Sequence, residues 1–288
     1  MNGMPDLYAL VLRLRPEQGG PLPAASGHQA QALFLELVRQ VDPDLSNALH
    51  ADAPSKPFSV AVLPGGRMPR DEATLELRVA FTRAELFPPV TRTLLQQTAR
   101  PALRLGTVPM VLTDVLGMPG SHPWAGFSSF AALWEQIRPA PMVTLEFATP
   151  TAFGQGTRPD GRPRLGLLPT PEAVFGSLAR RWNELAPPGL HIDEPILQAA
   201  IGETLVSRYT LRSTQISLGK GPQKGFIGIC SYELPTDPEA ARVLVLLAEA
   251  GFYLGVGMKT ARGMGLCRRI DGHPPGRAHE RAASQEAV

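Results

Sequence analysis

Metal and redox chemistry have little to work with in this chain, because its 288 residues include only two cysteines, Cys230 and Cys267. They form neither a zinc-ligand pair nor the disulfide framework of a secreted scaffold. No Asp/Glu/His cluster shows metal-ligand spacing either. No stretch of 18 consecutive apolar residues exists, and the N-terminus lacks a basic region followed by an apolar run. A cytoplasmic protein with no membrane partner is expected. The net charge is only +2, so the whole surface is not a polycation. The P-loop pattern is absent. A dinucleotide fingerprint fails because Thr260 stands where it needs glycine, so no cofactor is implied. The aromatic RNP1 pattern of RNA-recognition motifs is missing too.

What remains is a chain with 43% hydrophobic residues, long enough for two domains. Alternating residues predict strands at 7–14, 58–63, 74–82 and 102–115; helical spacing predicts helices at 29–41, 44–50 and 83–100. Pro88 and Pro89 are expected to kink or delay the last of these. The order β-α-β-β-α-β then recurs. Strands are expected at 142–148, 208–218, 224–234 and 266–270, with helices at 171–185, 194–206 and 240–254. Thr236 or Asp237 caps the final helix. Two copies of one α+β unit predict tandem ferredoxin-like (RRM-like) domains, antiparallel sheets with helices on one face. The expected boundaries are 1–138 and 139–270, followed by a disordered tail at 271–288. Segments 117–124 and 157–169 read as loops, with Trp124 and Phe127 packing between domains.

The most informative segment is Gly255-Val256-Gly257-Met258-Lys259-Thr260-Ala261-Arg262-Gly263-Met264-Gly265. Two Gly-x-Gly pairs flank five residues that carry two cations. Glycines permit φ > 0 and let backbone N–H groups turn toward an anion. Charge is uneven around this loop: from Arg208 to Arg269 there are nine Lys or Arg against four Asp or Glu. Only four lysines occur in the chain, and Lys220, Lys224 and Lys259 fall here, leaving Lys56 elsewhere.

This loop resembles that of the CRISPR-associated repeat-RNA-processing endoribonucleases, the Cas-six type of the RAMP superfamily. Leu49-His50 and Lys56-Pro57-Phe58-Ser59 resemble further segments of that family. So do Thr149-Pro150-Thr151-Ala152-Phe153, Leu168-Pro169 and Val174-Phe175. The resemblance implies cleavage of CRISPR repeat RNA in the precursor transcript to give guide RNAs. Its implied partners are repeat RNA, effector-complex subunits and a second copy in a homodimer. A noncatalytic RNA-binding subunit of an effector complex is the alternative.

RNA can be cut without metal because its 2′-hydroxyl can attack the adjacent phosphate, leaving a 2′,3′-cyclic phosphate and a 5′-hydroxyl. The enzyme moves protons, for which histidine's pKa of about 6.5 is suited, and stabilises charge with a cation. Of the six histidines, His122, His191, His273 and His279 read as ordinary polar side chains. The resemblance places His50 at the catalytic position, as general base or general acid, and gives Lys56 an assisting role in reach of the phosphate. The best-known relatives carry a tyrosine in the first helix; Leu35 stands there and cannot exchange a proton. His28, at the start of that helix, is the candidate replacement. The implied RNA-binding set is Gly255, Gly257, Lys259, Arg262, Gly263 and Gly265, with Lys220 and Lys224. The loop is expected to lie outside both cores, so that Gly263→Val would weaken RNA binding with the fold intact.

Overall fold

A computed structural model describes residues 5–19, 27–51, 55–64, 74–95, 103–218 and 221–270. Lys220, the tail at 271–288 with His273 and His279, and the helix expected beyond residue 95 lie outside the described residues.

The first unit runs β1 (Leu7–Pro16), α1 (Gly27–Arg39), α2 (Pro43–His50), β2 (Phe58–Val62), β3 (Leu75–Phe81), α3 (Phe87–Leu95), β4 (Leu103–Leu105) and β5 (Val108–Leu116). Its antiparallel sheet has the order β2-β3-β1-β5-β4. β6 (Gly126–Ser128) adds beside the start of β1, and α4 (Phe130–Gln136) follows. The second unit runs β7 (Met142–Thr151), β8 (Phe153–Thr157), β9 (Pro163–Gly166), α5 (Pro171–Leu185), α6 (Glu194–Glu203), β10 (Leu205–Ser217), β11 (Pro222–Glu233), α7 (Pro238–Leu254) and β12 (Cys267–Arg269). Its sheet order is β10-β11-β7-β12, again antiparallel. In both sheets the first strand lies between the third and fourth of the βαββαβ unit, which is the ferredoxin-like arrangement.

Local chemistry explains the elements. Asp42, Thr170 and Asp237 each accept a backbone N–H three residues on, capping α2, α5 and α7. Pro88 and Pro89 delay α3 rather than kink it: they occupy its first turn, where a missing N–H costs nothing. Three readings change. The strand expected at 102–115 is a hairpin, β4–β5, because Gly106 turns the chain at φ 64°. The loop expected at 157–169 contains half of the β8–β9 hairpin. β6 and α4, both short, were not anticipated. α4 ends before the expected boundary at residue 138, yet its Phe130 packs edge-on against Trp182 of α5, 5.1 Å between ring centres.

Each unit has its own core. Leu12, Leu77, Val79, Phe34 and Phe58 lie in the first; Phe147, Phe175, Trp182 and Leu244 lie in the second. A third apolar layer joins them through Val11, Ala61, Trp124, Ala125 and Leu266. Its centre is Arg78 of β3, 1% exposed. Arg78 Nε donates to Trp124 O at 3.0 Å, and a terminal nitrogen donates to Phe252 O. The guanidinium also lies 4.7 Å from the Phe252 ring centre. Burial lowers its pKa to about 10, which still leaves it charged at neutral pH. Trp124 is sandwiched by Arg268 and Phe252, so it packs between the units as expected, whereas Phe127 is partly exposed. Arg78→Ala should destabilise the protein by about 3 kcal/mol, since two carbonyls of different segments lose a charged donor. Urea unfolding checks this, and Arg78→Lys should recover only part, an ammonium being unable to fork between them.

Candidate functional site

The glycine loop begins at the end of α7, where Gly255 terminates the helix, and closes into β12. Gly255, Gly257, Gly263 and Gly265 all have positive φ, between 69° and 88°, as the spacing predicts. Lys259 shares that left-handed region at φ 58°, the one described non-glycine residue to do so, so the fold holds this cation against a backbone preference.

The loop is not a separate surface element, contrary to expectation. Ala261 belongs to the first unit's core and Val256 to the second's. Its backbone N–H groups are largely engaged internally. Val256 donates to Gly265 O, Met258 to Ala152 O, Gly263 to Val60 O of β2, and Gly265 to Pro150 O, at 2.8–3.1 Å. Gly257 N donates to Ser177 Oγ. Those of Lys259, Thr260 and Ala261 are left without a partner among the described residues. Glycine is demanded here by the protein's own backbone. A Cβ at Gly265 would stand 2.0 Å from Val256 O. A Cβ on Gly27, the first residue of α1, would stand 1.7 Å from Arg262 O, and one on Gly263 would meet Gly27 Cα at 3.0 Å. Two facing glycines thus let α1 of the first unit touch a loop of the second.

This contact brings sequence-distant candidates together. His28 is exposed in the first turn of α1, beside the Gly27–Gly263 contact. Arg262, also exposed, reaches across the interface so that its Nε donates to Gln31 Oε1 at 3.2 Å. Lys259 Nζ donates to Gln223 Oε1 of β11 at 2.7 Å. Burial, then the neighbouring Arg262, lowers the Lys259 pKa. Lys224 is exposed next to Gln223.

α2 runs back along α1, fastened by Ser46 Oγ donating to Leu35 O at 2.9 Å. Leu35 itself is buried in the core, where it performs no acid–base work. His50 ends α2 with an exposed ring. The Lys56 ammonium is folded back onto the last turn of that helix. It donates to Leu49 O at 3.0 Å, His50 O at 3.2 Å and Ala51 O. Those carbonyls have no intrahelical donor, so Lys56 satisfies the end of the helix that presents His50. Sequence reasoning, which sent Lys56 toward phosphate, missed this. It also missed Arg181 of α5, almost wholly buried, which donates to Lys56 O at 3.5 Å and ties this segment to the second unit. Among the described residues no group of three or more His, Cys, Asp or Glu is placed to hold a metal ion. No described helix is long and apolar enough to cross a membrane.

Two ferredoxin-like units are thus locked through a cation-bearing glycine loop, with histidines on the first two helices. Two family models match: "CRISPR Cas6 N-terminal domain" over residues 4–135 and "CRISPR-associated endoribonuclease Cas6" over residues 145–267. A solved Cas6 product complex is 32% identical, over 92% of this chain and 99% of that one, with a TM-score of 0.80. Thermus thermophilus Cas6 is 30% identical, over 93% of this chain and all of that one, with a TM-score of 0.72. The Cas6 of Mycobacterium tuberculosis is 28% identical over 142 residues, which are 49% of this chain and 43% of that protein. The chain belongs to the CRISPR-associated endoribonuclease Cas6 family.

Because the loop seats the two units on each other, Gly263→Val should lower stability as well as RNA binding. Overpacking against Gly27 and the left-handed backbone together should cost about 2–4 kcal/mol, read as a lower thermal midpoint of the RNA-free protein. An unchanged midpoint would return the loop to the surface role first expected.

Proposed function

We propose that the protein is a metal-independent endoribonuclease that cleaves CRISPR repeat RNA in the precursor transcript to release guide RNAs. The observation that carries this reading is the convergence on α1. The loop that carries Arg262 meets the N-terminal end of α1, which bears an exposed His28, and α2, fastened to α1 at Leu35, carries an exposed His50. That arrangement offers loop cations for a phosphate and imidazoles on α1 and α2 for proton transfer. Family membership and a relative solved as a product complex support the same reading.

In the proposed reaction the 2′-hydroxyl attacks the adjacent phosphorus, and the bond to the 5′-oxygen breaks. Products are a 2′,3′-cyclic phosphate and a 5′-hydroxyl. His50 takes the 2′-proton or protonates the leaving oxygen, and His28 fills the complementary role that Leu35 cannot. Arg262 and Lys259 stabilise charge on the nonbridging oxygens, where a preplaced cation is most effective. Lys56 acts by holding the end of α2, with Lys224 adding phosphate contacts beside the loop.

His50→Ala should lower single-turnover cleavage of the cognate repeat by about 10²–10⁴-fold, with RNA affinity nearly unchanged. Full activity would remove His50 from the reaction. Binding of the cognate repeat by the wild-type protein with no cleavage would favour the noncatalytic RNA-binding role. Cleavage by the wild-type protein should persist in excess EDTA; loss on chelation and recovery with magnesium would contradict the proposed chemistry.

A further inference from the structure

The two loop cations share one feature: each is held by a glutamine carbonyl, and neither has an acidic partner among the described residues. Lys259 Nζ is fixed by Gln223 Oε1 from β11, within its own unit, and Arg262 Nε by Gln31 Oε1 from α1 of the other unit. Two other, half-buried arginines of the loop's own unit are paired with acids: Arg268 with Glu146 at 2.7 Å and Arg269 with Glu249 at 3.0 Å. Gln31 is also out of place by composition. It is 5% exposed on the face of α1 that otherwise buries Leu33, Phe34, Leu37 and Val38. Burying an amide is unfavourable unless it is hydrogen-bonded, and its partner here is the loop arginine.

The chemistry of the partner matters. A carboxylate would hold either cation more firmly but would cancel its charge. An amide oxygen fixes one N–H and leaves the charge whole. For Arg262 it engages Nε alone, leaving the terminal nitrogens, which carry four of the five donors, on the exposed side. We propose that Gln31 and Gln223 are positioning residues that aim Arg262 and Lys259 at RNA phosphates while keeping their charge unneutralised. This rests on the reading that the loop binds repeat RNA. It makes the RNA grip depend on α1 of the opposite unit.

The experiment compares the purified wild-type protein with Q31E, Q223E and R262A by repeat-RNA affinity across about 50–200 mM salt, with thermal midpoints of each. Q31E and Q223E keep an acceptor oxygen toward each cation, Q223E giving up only the long 3.4 Å bond from Gln223 Nε2 to Lys224 O, and should hold or raise the midpoint. Each should bind RNA about tenfold more weakly at low salt, with the salt slope reduced by roughly one phosphate contact. A residue with a merely structural role would leave that slope unchanged. R262A tests the underlying reading: wild-type affinity in R262A would remove Arg262, and with it the role of Gln31, from RNA binding. Weakened R262A beside Q31E and Q223E of wild-type affinity and slope would overturn the positioning role alone. Should Q31E fail to fold because its site is buried, Q223E, near the solvent-exposed start of β11, decides the point by the same criteria.

Discussion

The close approach of Gly27 and Gly263 is the constraint on which the site depends. No side chain fits between α1 and the loop, and the Gly263 N–H completes the contact by donating to Val60 O of β2. With both glycines present, the helix that carries His28 and Gln31 sits on the loop that carries Lys259 and Arg262. The loop therefore acts as a keystone of the interface, and the proposed phosphate contacts come second to that role. Gly257, Gly263 and Gly265 are demanded by the protein itself: a Cβ at Gly257 or Gly265 would meet a carbonyl oxygen, and one at Gly263 would meet Gly27 Cα.

Charge around this keystone is divided into two kinds. Arg78 and Arg181 are buried between the units and face backbone carbonyls; burial lowers both to about 10, leaving them cationic at neutral pH. They act as fasteners. Arg262 and Lys259 are exposed and face amide oxygens, so their charge is available to a ligand. A net charge of +2 conceals this distinction, since it only sums 28 Lys and Arg against 26 Asp and Glu.

Much of the fold was legible in the sequence because periodicity and capping reflect local physics. The alternation of Leu75, Leu77, Val79 and Phe81 identified β3, and the Thr236-Asp237 pair identified the start of α7, where the cap is Asp237. The other face of β3 was not legible. Arg78 looks like a solvent-facing residue in that alternation, and only the second unit, arriving at Trp124 and Phe252, buries it. Gly106 could not be told from a glycine within a strand until its hairpin was seen. The candidate site was legible through the glycine spacing and the segment around His50. The role of Gln31 was hidden because its partner, Arg262, is 231 positions away. The contact of Lys56 was hidden for a related reason: the carbonyls it reaches belong to a helix end, which spacing alone does not aim at a lysine.

The account finally rests on RNA supplying its own nucleophile to a site that supplies cations and imidazoles. The direct measurement is cleavage of a repeat RNA carrying a single 2′-deoxy nucleotide at the scissile position, with binding measured in parallel. The account predicts wild-type affinity and no cleavage at that bond. Cleavage of the deoxy substrate at the same bond and a comparable rate would contradict it.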